Sequence, residues 1–475
     1  LCVDGVRETP RRLGVSAILT RSDDMKDLFR GSCVLACLVL AGASCKIEPD
    51  AATADDPELT TDTSHTIFNG HNFPNDEGIA RTFNINGFTR LDSTFSTSLG
   101  TNGRTCFTCH DPGNGWSIGP DGINDRFDAT DGTDPVFRTN DGSVSPNYDV
   151  STVDARRIAY SMLLTHGDIR VERPIPDGAE FTLSDVDDPY GYANAAAMSL
   201  FRRPRPSMNL RFITTVMWDG REQIAGHGIQ FDLGHQANDA TLGHAQATDP
   251  ITNRQKNQIV DFEDALYAAQ YVGNEAGHLN AHGANGGPEF LSYVDFYPGI
   301  TNPGHTFDIY DAWKYEHGSD ATSLARQAVY RGQQIFNTKQ FNISGAAGIA
   351  DQVGSCSTCH NTPDVGGHST TLLVNIGIAD GSRRAADMPL YTLHNNATGE
   401  VVQTTDPGLA LSTGLWADIG RFAVPNLRAI ETRSPYFHNG EIDSIEDLVD
   451  FYNTRFMIGL SDSEKADLVA FVKVL

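Results

Sequence analysis

The chain has 475 residues, of which 61 are acidic and 35 basic, so its formal net charge is -26. An acidic surface repels phosphate backbones and attracts basic proteins, which argues against nucleic acid as a partner. Hydrophobic residues make up 39% and charged residues 20%, proportions that are typical of a globular protein, and the length predicts two or three domains.

The N-terminal part has the pattern of an export signal. Met25, Lys26 and Arg30 form a short basic region, and an apolar stretch over 31–43 follows, shorter than the roughly 20 residues that span a bilayer. We therefore expect residues 1–44 to be an upstream extension and signal peptide, and the mature protein to be periplasmic. The "GASC" ending resembles a lipoprotein box, which leaves two alternatives: a lipid-anchored Cys45, or simple cleavage near the apolar end.

Four of the eight cysteines belong to two C-x-x-C-H motifs, "TCFTCH" and "SCSTCH". The motif residues are Cys106, Cys109 and His110, and Cys356, Cys359 and His360. The other four lie upstream, in the signal peptide or at its end: Cys2, Cys33, Cys37 and Cys45. No thiol of the expected mature chain is then left for a structural disulfide.

This spacing suits covalent haem attachment. On a helical turn, thiols three residues apart lie on one face, where they reach the two vinyl groups of a porphyrin, and the adjacent histidine supplies an iron ligand. A zinc site would require four converging Cys or His ligands, and a thioredoxin-like dithiol requires no adjacent histidine. The two motifs therefore predict two covalently bound haem c groups.

The motifs also indicate the domain organisation. Each follows a stretch with helical character, which predicts a mainly α fold of two cytochrome c-like haem domains. We expect an N-terminal haem domain over 45–321, enlarged by long loops rich in Asp, Gly and Asn, and a C-terminal one over 322–475. Ser461 and Glu464 have the spacing of a capping box and predict the start of the last helix.

Three further segments resemble a known family. They are "PSMNLRFITTVMWDGRE" (206–222), "GRFAVPNLRAIETRSPYFHNG" (420–440) and "IEDLVDFYNTRF" (445–456). With two C-x-x-C-H motifs, they resemble the bacterial dihaem cytochrome c peroxidases and their MauG relatives. The resemblance implies a peroxidatic N-terminal haem, ligated by His110 and open on its distal side, and a six-coordinate C-terminal haem, ligated by His360, that transfers electrons.

The resemblance also implies which residues lie on the distal side of the first haem. This chain differs from the family at one of these positions. Trp218 matches a tryptophan between the haems, a candidate electron relay that is equally compatible with a buried core role. Gln236 matches the distal glutamine, but Gln246 stands where the family has a catalytic glutamate. An imidazole titrates near neutrality, so we predict that His244 moves the protons, the alternative being a solvated loop histidine.

A second departure concerns activation. Many family peroxidases block the first iron with a histidine about sixteen residues after the proximal one. Here no histidine occurs between His110 and His166. We therefore predict a permanently open first iron, unless one of the later histidines reaches it: His166, His227, His235 or His244.

The sixth ligand of the second haem separates the subfamilies. Tyr452 stands where the peroxidases have methionine and MauG has tyrosine, and Met457 is the alternative. A thioether raises the reduction potential, whereas a phenolate favours ferric iron. Tyr452 also lies on the apolar face of a helix and is compatible with core packing. The family's calcium site stays open, because Pro204 replaces its asparagine, although Pro435 and nearby carbonyls are available.

Three functions follow from these residues. The first is an exported peroxidase that reduces hydrogen peroxide to water with electrons from a small cytochrome c or cupredoxin, entering at the C-terminal haem and passing to the N-terminal one. The second is a MauG-like oxidase of a protein or organic substrate, and the third is a dihaem electron carrier without enzymatic activity. A homodimer is compatible with each.

Overall fold

Strands are far more frequent in this protein than its sequence predicts. The computed structural model describes residues 65–475, of which helices hold 33% and strands 18%. The prediction of a mainly α fold is therefore wrong. The physical reason is that the strands are short and antiparallel, and that turns containing Asn and Gly join several of them, such as 396–400 between Leu390–Asn395 and Val401–Thr404.

The helices of the described residues concentrate around the two motifs and at the C-terminal end. In chain order they are α1 (Pro120–Thr130), α2 (Val153–Ala159), α3 (Ser161–His166), α4 (Ile229–Gly243), α5 (Asn253–Asp264), α6 (Pro288–Leu291), α7 (Ala321–Thr338), α8 (Cys356–Cys359), α9 (Ala410–Thr413), α10 (Ile445–Arg455) and α11 (Asp462–Lys473). A 3-10 turn over Cys106–Thr108 holds the first motif.

The strands are short. They are β1 (Thr66–Phe68), β2 (Asn72–Asn75), β3 (Gly78–Asn84), β4 (Phe88–Arg90), β5 (Ile169–Arg173), β6 (Phe181–Asp187), β7 (Met198–Arg202), β8 (Leu266–Gly273), β9 (Gly277–His278), β10 (Phe341–Ile343), β11 (Gln352–Gly354), β12 (Leu373–Val374), β13 (Leu390–Asn395), β14 (Val401–Thr404) and β15 (Phe422–Ala423).

All the strand pairs within residues 65–475 are antiparallel. The largest sheet has the order β2-β3-β8-β9, and a three-stranded sheet has the order β14-β13-β6. The pairs β1-β4, β5-β7, β10-β11 and β12-β15 complete the set among the described residues. Because β13 pairs with β6, residues that follow the second motif are hydrogen-bonded to residues that precede it by more than a hundred positions.

The C-terminal helices confirm one local prediction. The capping box that starts α11 is present: the side chain of Ser461 accepts the Glu464 amide, and the Glu464 carboxylate accepts the Ser461 amide. The helices α7 and α11 cross closely at Gly332, where a Cβ atom would lie 1.9 Å from the Asp467 carbonyl oxygen. Only glycine permits this approach of the two backbones.

Two aromatic clusters place the motifs in the interior. Around the first motif, Phe95, Phe107, Trp116 and Phe262 pack against one another. Around the second, Phe336 packs against Phe307 and Phe471, with centroid separations of 5.3 and 5.7 Å. Each motif therefore lies against an apolar core.

The described residues belong to a compact unit that spans Thr61–Leu475. Its division into domains over 45–321 and 322–475 stays a prediction. The predicted signal peptide (1–44) and the candidate lipidation site Cys45 lie outside the described residues. Among those that are described, none of the helices combines the length and the apolar composition that a membrane crossing requires.

Candidate functional site

The first C-x-x-C-H motif forms one tight turn. Thr105 is its capping residue, and the Thr105 amide donates to the Thr108 hydroxyl oxygen at 2.9 Å. The His110 amide donates to the Cys106 carbonyl at 3.0 Å. The chain thus gathers both thiols and the imidazole into a single turn through contacts that span no more than four residues.

The second motif repeats this turn. Ser355 and Thr358 form the equivalent capping box, and the His360 amide donates to the Cys356 carbonyl at 3.0 Å. All four motif thiols are unpaired. Burial raises the pKa of Cys106 and Cys356 to about 12, so at neutral pH the thiols are uncharged.

The two imidazoles are held alike. The Nδ1 of His110 lies 3.0 Å from the carbonyl oxygen of Trp116, and the Nδ1 of His360 lies 2.5 Å from that of Gly366, each six residues further along the chain. A carbonyl at Nδ1 fixes the tautomer with its hydrogen on Nδ1 and leaves Nε2 free to bind a metal ion. Burial lowers the pKa of both rings to about 4, which keeps them neutral, as ligation requires.

A cavity of about 220 Å³ opens beside the second motif. Cys356, Cys359 and His360 line it, and most of the remaining wall is apolar, including Phe341, Ile376 and Leu468. Two polar atoms of wall residues, Nε2 of His438 and Oδ1 of Asn426, are buried without a hydrogen-bond partner among the described residues. An apolar chamber with this set of thiols and imidazole fits a haem.

The two candidate sixth ligands are placed differently. Tyr452 lies in the wall of this cavity together with His360. Burial raises the pKa of the Tyr452 phenol, and the proximity of Cys359 and Cys356 raises it further. Met457 follows the end of α10 and is 83% exposed, outside the cavity wall.

His244 is part of a buried ion network near the first motif. Its Nδ1 lies 2.5 Å from Oδ2 of Asp141, and Nη1 of Arg104 contacts both carboxylate oxygens at 2.5 and 2.6 Å. Burial acts to raise the pKa of Asp141, but the hydrogen bond from His244 and the charge of Arg104 outweigh it and hold that pKa below its usual value. The charge of His244 in turn contributes to the lowered pKa of His110, after burial.

Sequence reasoning missed Asp141 and Arg104. Arg104 carried a weak signal, since it stands two residues before Cys106. Asp141 lies 103 residues from His244 in a segment read as a loop, and no spacing pattern points to it. The predicted His244 therefore acquires a buried carboxylate partner that only the fold supplies.

Neither the predicted distal residue Gln236 nor Gln246, which replaces the family's glutamate, is hydrogen-bonded to the His244 side chain. Gln236 is half-buried on α4, with no hydrogen bond to His244. Gln246 follows α4 and lies near Asn102, at 3.4 Å. His235 bonds to Glu222 at 2.7 Å, and Asp239 lies close enough to complete a three-residue group that is suited to a metal ion.

The remaining histidines that were considered for the first iron have partners elsewhere. His166 Nδ1 lies 2.9 Å from the Gly440 carbonyl oxygen. His227 is exposed and stacks on Phe231 with the ring centroids 3.8 Å apart. Of the four candidates, His244 is the one whose charge acts on His110.

Trp218 lies at a junction of distant segments. It lines the cavity of the second motif, and its Nε1 donates to the Arg203 carbonyl at 2.8 Å. The Arg203 guanidinium, which is buried, donates to the carbonyls of Ile118 and His166 at 2.7 and 2.6 Å and lies 3.4 Å from that of Arg433. An arginine cation thus fills the carbonyl cluster beside Pro435; calcium binding there stays a prediction.

The curated proteins that are similar to this chain share one name, cytochrome-c peroxidase. No family model matches the chain. It is 26% identical over 294 residues to cytochrome-c peroxidase IdrP2 of Denitromonas iodatirespirans, a match that covers 60% of this chain and 70% of the relative. Cytochrome-c peroxidase IdrP1 of the same organism is 29% identical over 185 residues, covering 35% and 44%. The IdrP1 of Pseudomonas sp. (strain SCT) is 30% identical over 165 residues, covering 30% and 39%.

A solved structure of a MauG-like protein associated with microbial copper homeostasis is also similar. It is 16% identical, covers 60% of this chain and 76% of that one, and superposes with a TM-score of 0.33. The relatives named cytochrome-c peroxidase imply haem cofactors, which the two motif turns and the cavity fit. Over about 60% of its length, the chain is thus similar to proteins named cytochrome-c peroxidase.

Proposed function

We propose that the protein is a dihaem c-type peroxidase that reduces hydrogen peroxide to water with electrons from a small redox protein. The names of its relatives support a peroxidase-type oxidoreductase. The observation that carries the proposal is the asymmetry between two otherwise equivalent turns. The first turn lies close to the pair His244 and Asp141, and the charge of His244 acts on His110. The second turn faces an apolar cavity instead.

The motif residues are proposed to hold the cofactors. Cys106 and Cys109 would carry one haem covalently with His110 as its iron ligand, and Cys356 and Cys359 would carry the other with His360. When bound, haem supplies a redox-active iron that accepts and donates single electrons. The neutral imidazoles and the carbonyls at Nδ1 prepare both rings for ligation without a further rearrangement.

His244 is proposed to deliver the protons. Reduction of one hydrogen peroxide to two waters consumes two electrons and two protons, so the site needs a group that delivers protons. With Nδ1 directed at Asp141, the ring presents Nε2 as the exchanging atom. Arg104 holds the carboxylate from the other side, which keeps the ring orientation fixed. We include Gln236 as a further distal residue on the family resemblance.

The electron path is proposed to enter at the second site. Trp218 lies in the wall of that cavity and is bonded through Arg203 to Ile118, which follows the first motif. It thereby connects segments that belong to both sites. The strongly acidic chain, with net charge -26, would attract a basic donor, such as a small cytochrome c. Cupredoxins of suitable charge are equally admissible.

The test is steady-state oxidation of reduced cytochrome c by hydrogen peroxide, using protein from a host that matures c-type cytochromes. We expect turnover in the wild type, with loss on replacement of His244 but not of the exposed His227. A protein in which both irons are six-coordinate and unresponsive to peroxide would instead be an electron carrier. That outcome would refute the peroxidase.

A MauG-like oxidase is the second candidate, and the position of Tyr452 favours it. A tyrosine in the cavity wall, with the methionine outside it, matches the ligand that the resemblance assigns to MauG. Such an enzyme would bind peroxide but fail to oxidise any of several small electron donors. Turnover with a donor therefore separates the two candidates.

We propose that the protein acts in the periplasm. The support is the basic and apolar pattern before residue 44, together with c-type motifs that are matured in an oxidising compartment. Fractionation of the native host locates the protein. Labelling with a radioactive fatty acid distinguishes lipidation at Cys45 from simple cleavage.

A further inference from the structure

Three arginines next to Trp218 carry positive charge into the interior of the protein. Arg203 is 5% exposed, and Arg205 and Arg433 are half-buried. Their hydrogen bonds all go to backbone carbonyl oxygens, which belong to His166, Ile118 and Arg433 for Arg203, to Thr215 and Met217 for Arg205, and to Ala429, Asn426 and Arg428 for Arg433. None of the three guanidinium groups forms an ion pair with a carboxylate among residues 65–475.

The three side chains lie together. Nη2 of Arg203 lies 3.4 Å from the Arg433 carbonyl oxygen, and the Arg205 guanidinium carbon lies 5.3 Å from the centre of the Trp218 ring, whose Nε1 donates to the Arg203 carbonyl. Burial lowers the pKa of each arginine to about 10, and repulsion from Arg203 and Arg205 contributes to the lowered pKa of Arg433. All three remain cations at neutral pH, and such a group costs stability unless an anion joins it.

One carboxyl group acts on Arg203 without pairing with it. Asp168 is 1% exposed, and both of its carboxyl oxygens are buried without a hydrogen-bond partner among the described residues. Burial raises the pKa of Asp168 well above its usual value, which favours its uncharged form. The charge of the three arginines is therefore not balanced by a paired carboxylate in the described part of the chain.

Two of the arginines also have N–H groups left to donate. Within residues 65–475, Nε and Nη2 of Arg205 and Nη1 of Arg433 make no hydrogen bond. The nearby Arg202 shows what the edge formed by Nε and Nη2 binds, since these two atoms donate to the Asp406 carboxylate at 2.6 and 2.9 Å. Arg205 offers the same two-pronged edge, which matches the two oxygens of a carboxylate.

The cavity beside the second motif has its only charges at these arginines. Arg203 and Arg433 line it, and among its lining residues no other side chain is an Asp, Glu, Lys or Arg. Cys356 and Cys359 stand in the same wall. A haem joined to these thiols through its vinyl groups still carries two negatively charged propionate groups, which need positive partners in an apolar chamber.

We propose that Arg203 and Arg433 bind the propionate carboxylates of the second haem, and that with Arg205 they supply the positive charge at this junction in place of a calcium ion. Three guanidinium groups repel a divalent cation as strongly as they attract carboxylates, so the two occupants exclude each other. This inference rests on the proposed attachment of a haem at the second motif.

The test is a redox titration of the matured dihaem protein without peroxide. Arg433→Met removes a cation near the second haem, which stabilises oxidised iron. We therefore expect one reduction step to move to lower potential, with the oxidised-to-reduced ratio at a fixed potential rising about tenfold. Arg433→Lys keeps the charge and should move the step less. The step that moves should be the one that Tyr452→Phe also changes, because Tyr452 lines the same cavity.

Three further measurements separate propionate binding from a purely structural role. The propionate bending band in the resonance Raman spectrum should shift in Arg433→Met. Arg157→Met, at an exposed arginine that pairs with Asp128, should leave both reduction steps in place. Treatment of the wild type with a calcium chelator should leave both steps and the Raman band unchanged, because the arginines already supply the charge.

Three results would overturn the proposal: Arg433→Met moves neither step, Arg433→Lys moves the step as far as Arg433→Met, or the chelator moves the step that Tyr452→Phe changes. If Arg433→Met fails to mature, Arg205→Met decides, since it removes the third cation and should move the same step in the same direction. The potentials are measured without peroxide. A protein without peroxidase activity therefore refutes the proposed function only, and unmoved potentials in an active peroxidase refute the propionate contact only.

Discussion

Nδ1 of His244 lies 2.5 Å from Oδ2 of Asp141, although the two residues are 103 positions apart. The carboxylate is buried and is held from its other side by Arg104. A histidine anchored in this way keeps one tautomer and one orientation, as a group that repeatedly exchanges protons requires. The fold thus gives His244 a buried carboxylate partner, which its proposed acid-base role requires.

Removing the imidazole should abolish most of the peroxide turnover. We expect His244→Ala to lower kcat/KM for peroxide by about 10²- to 10⁴-fold, because a positioned acid-base group contributes that much. Asp141→Asn should keep the ring but weaken its orientation, with a loss of about tenfold or more. Stopped-flow reaction with peroxide measures both. His227→Ala, at an exposed ring, is the matched control, and wild-type rates in His244→Ala would contradict the assignment.

The second haem should change its spectrum when Tyr452 is altered. Tyr452→Phe removes the hydroxyl from the cavity wall, so we expect the optical and magnetic signals of one ferric haem to change while those of the other persist. Met457→Leu, at an exposed position, should leave both spectra unchanged. If Met457→Leu removes a sulfur-to-iron charge-transfer band instead, methionine is the ligand.

Each pair of motif thiols should hold one haem. Replacing Cys356 and Cys359 together by alanine should leave one haem that resists extraction by acid acetone, compared with two in the wild type. Replacing Cys106 and Cys109 is the reciprocal variant and should also leave one. Mass spectrometry of the denatured protein counts them. A wild-type protein that loses its pigment to acid acetone would contradict covalent attachment.

A buried charge network next to Trp218 should make stability depend on pH. Asp219 is fully buried and accepts a hydrogen bond from Arg202 at 2.6 Å, and Arg221 lies 3.1 Å from its other oxygen. Burial acts to raise the pKa of Asp219, but these two charges outweigh it and hold that pKa well below its usual value. The folded state therefore binds this proton more weakly than the unfolded one does.

The sign of the effect follows. The stabilisation by Asp219 is complete above the unfolded carboxyl value, near pH 4, and is lost as the pH falls below it. Asp219→Asn should cost about 3–5 kcal/mol at neutral pH and flatten the acid limb of the stability curve. Asp128→Asn, in an exposed pair with Arg157, should cost less than about 1 kcal/mol. Denaturant unfolding between pH 3 and 7 checks both, and equal losses would contradict the network.

The sequence predicted the features that depend on residues only a few positions apart. The motif turns and the helix start at Ser461 depend on residues three or four positions apart, a distance over which a helix or turn determines direction. It failed on fold class. Local composition does not reveal strand pairing, since partners such as β6 and β13 are contributed by distant segments.

The sequence by itself therefore determined two thiol pairs, each with an adjacent imidazole, and a resemblance to a family in which such motifs carry haem. The tertiary structure decided how each imidazole is tuned. Asp141 reaches His244 from 103 residues away, and Ser207 reaches His110 from 97. These contacts exist only once the chain has folded, because hydrogen bonding acts over about 3 Å in space, whatever the separation along the chain.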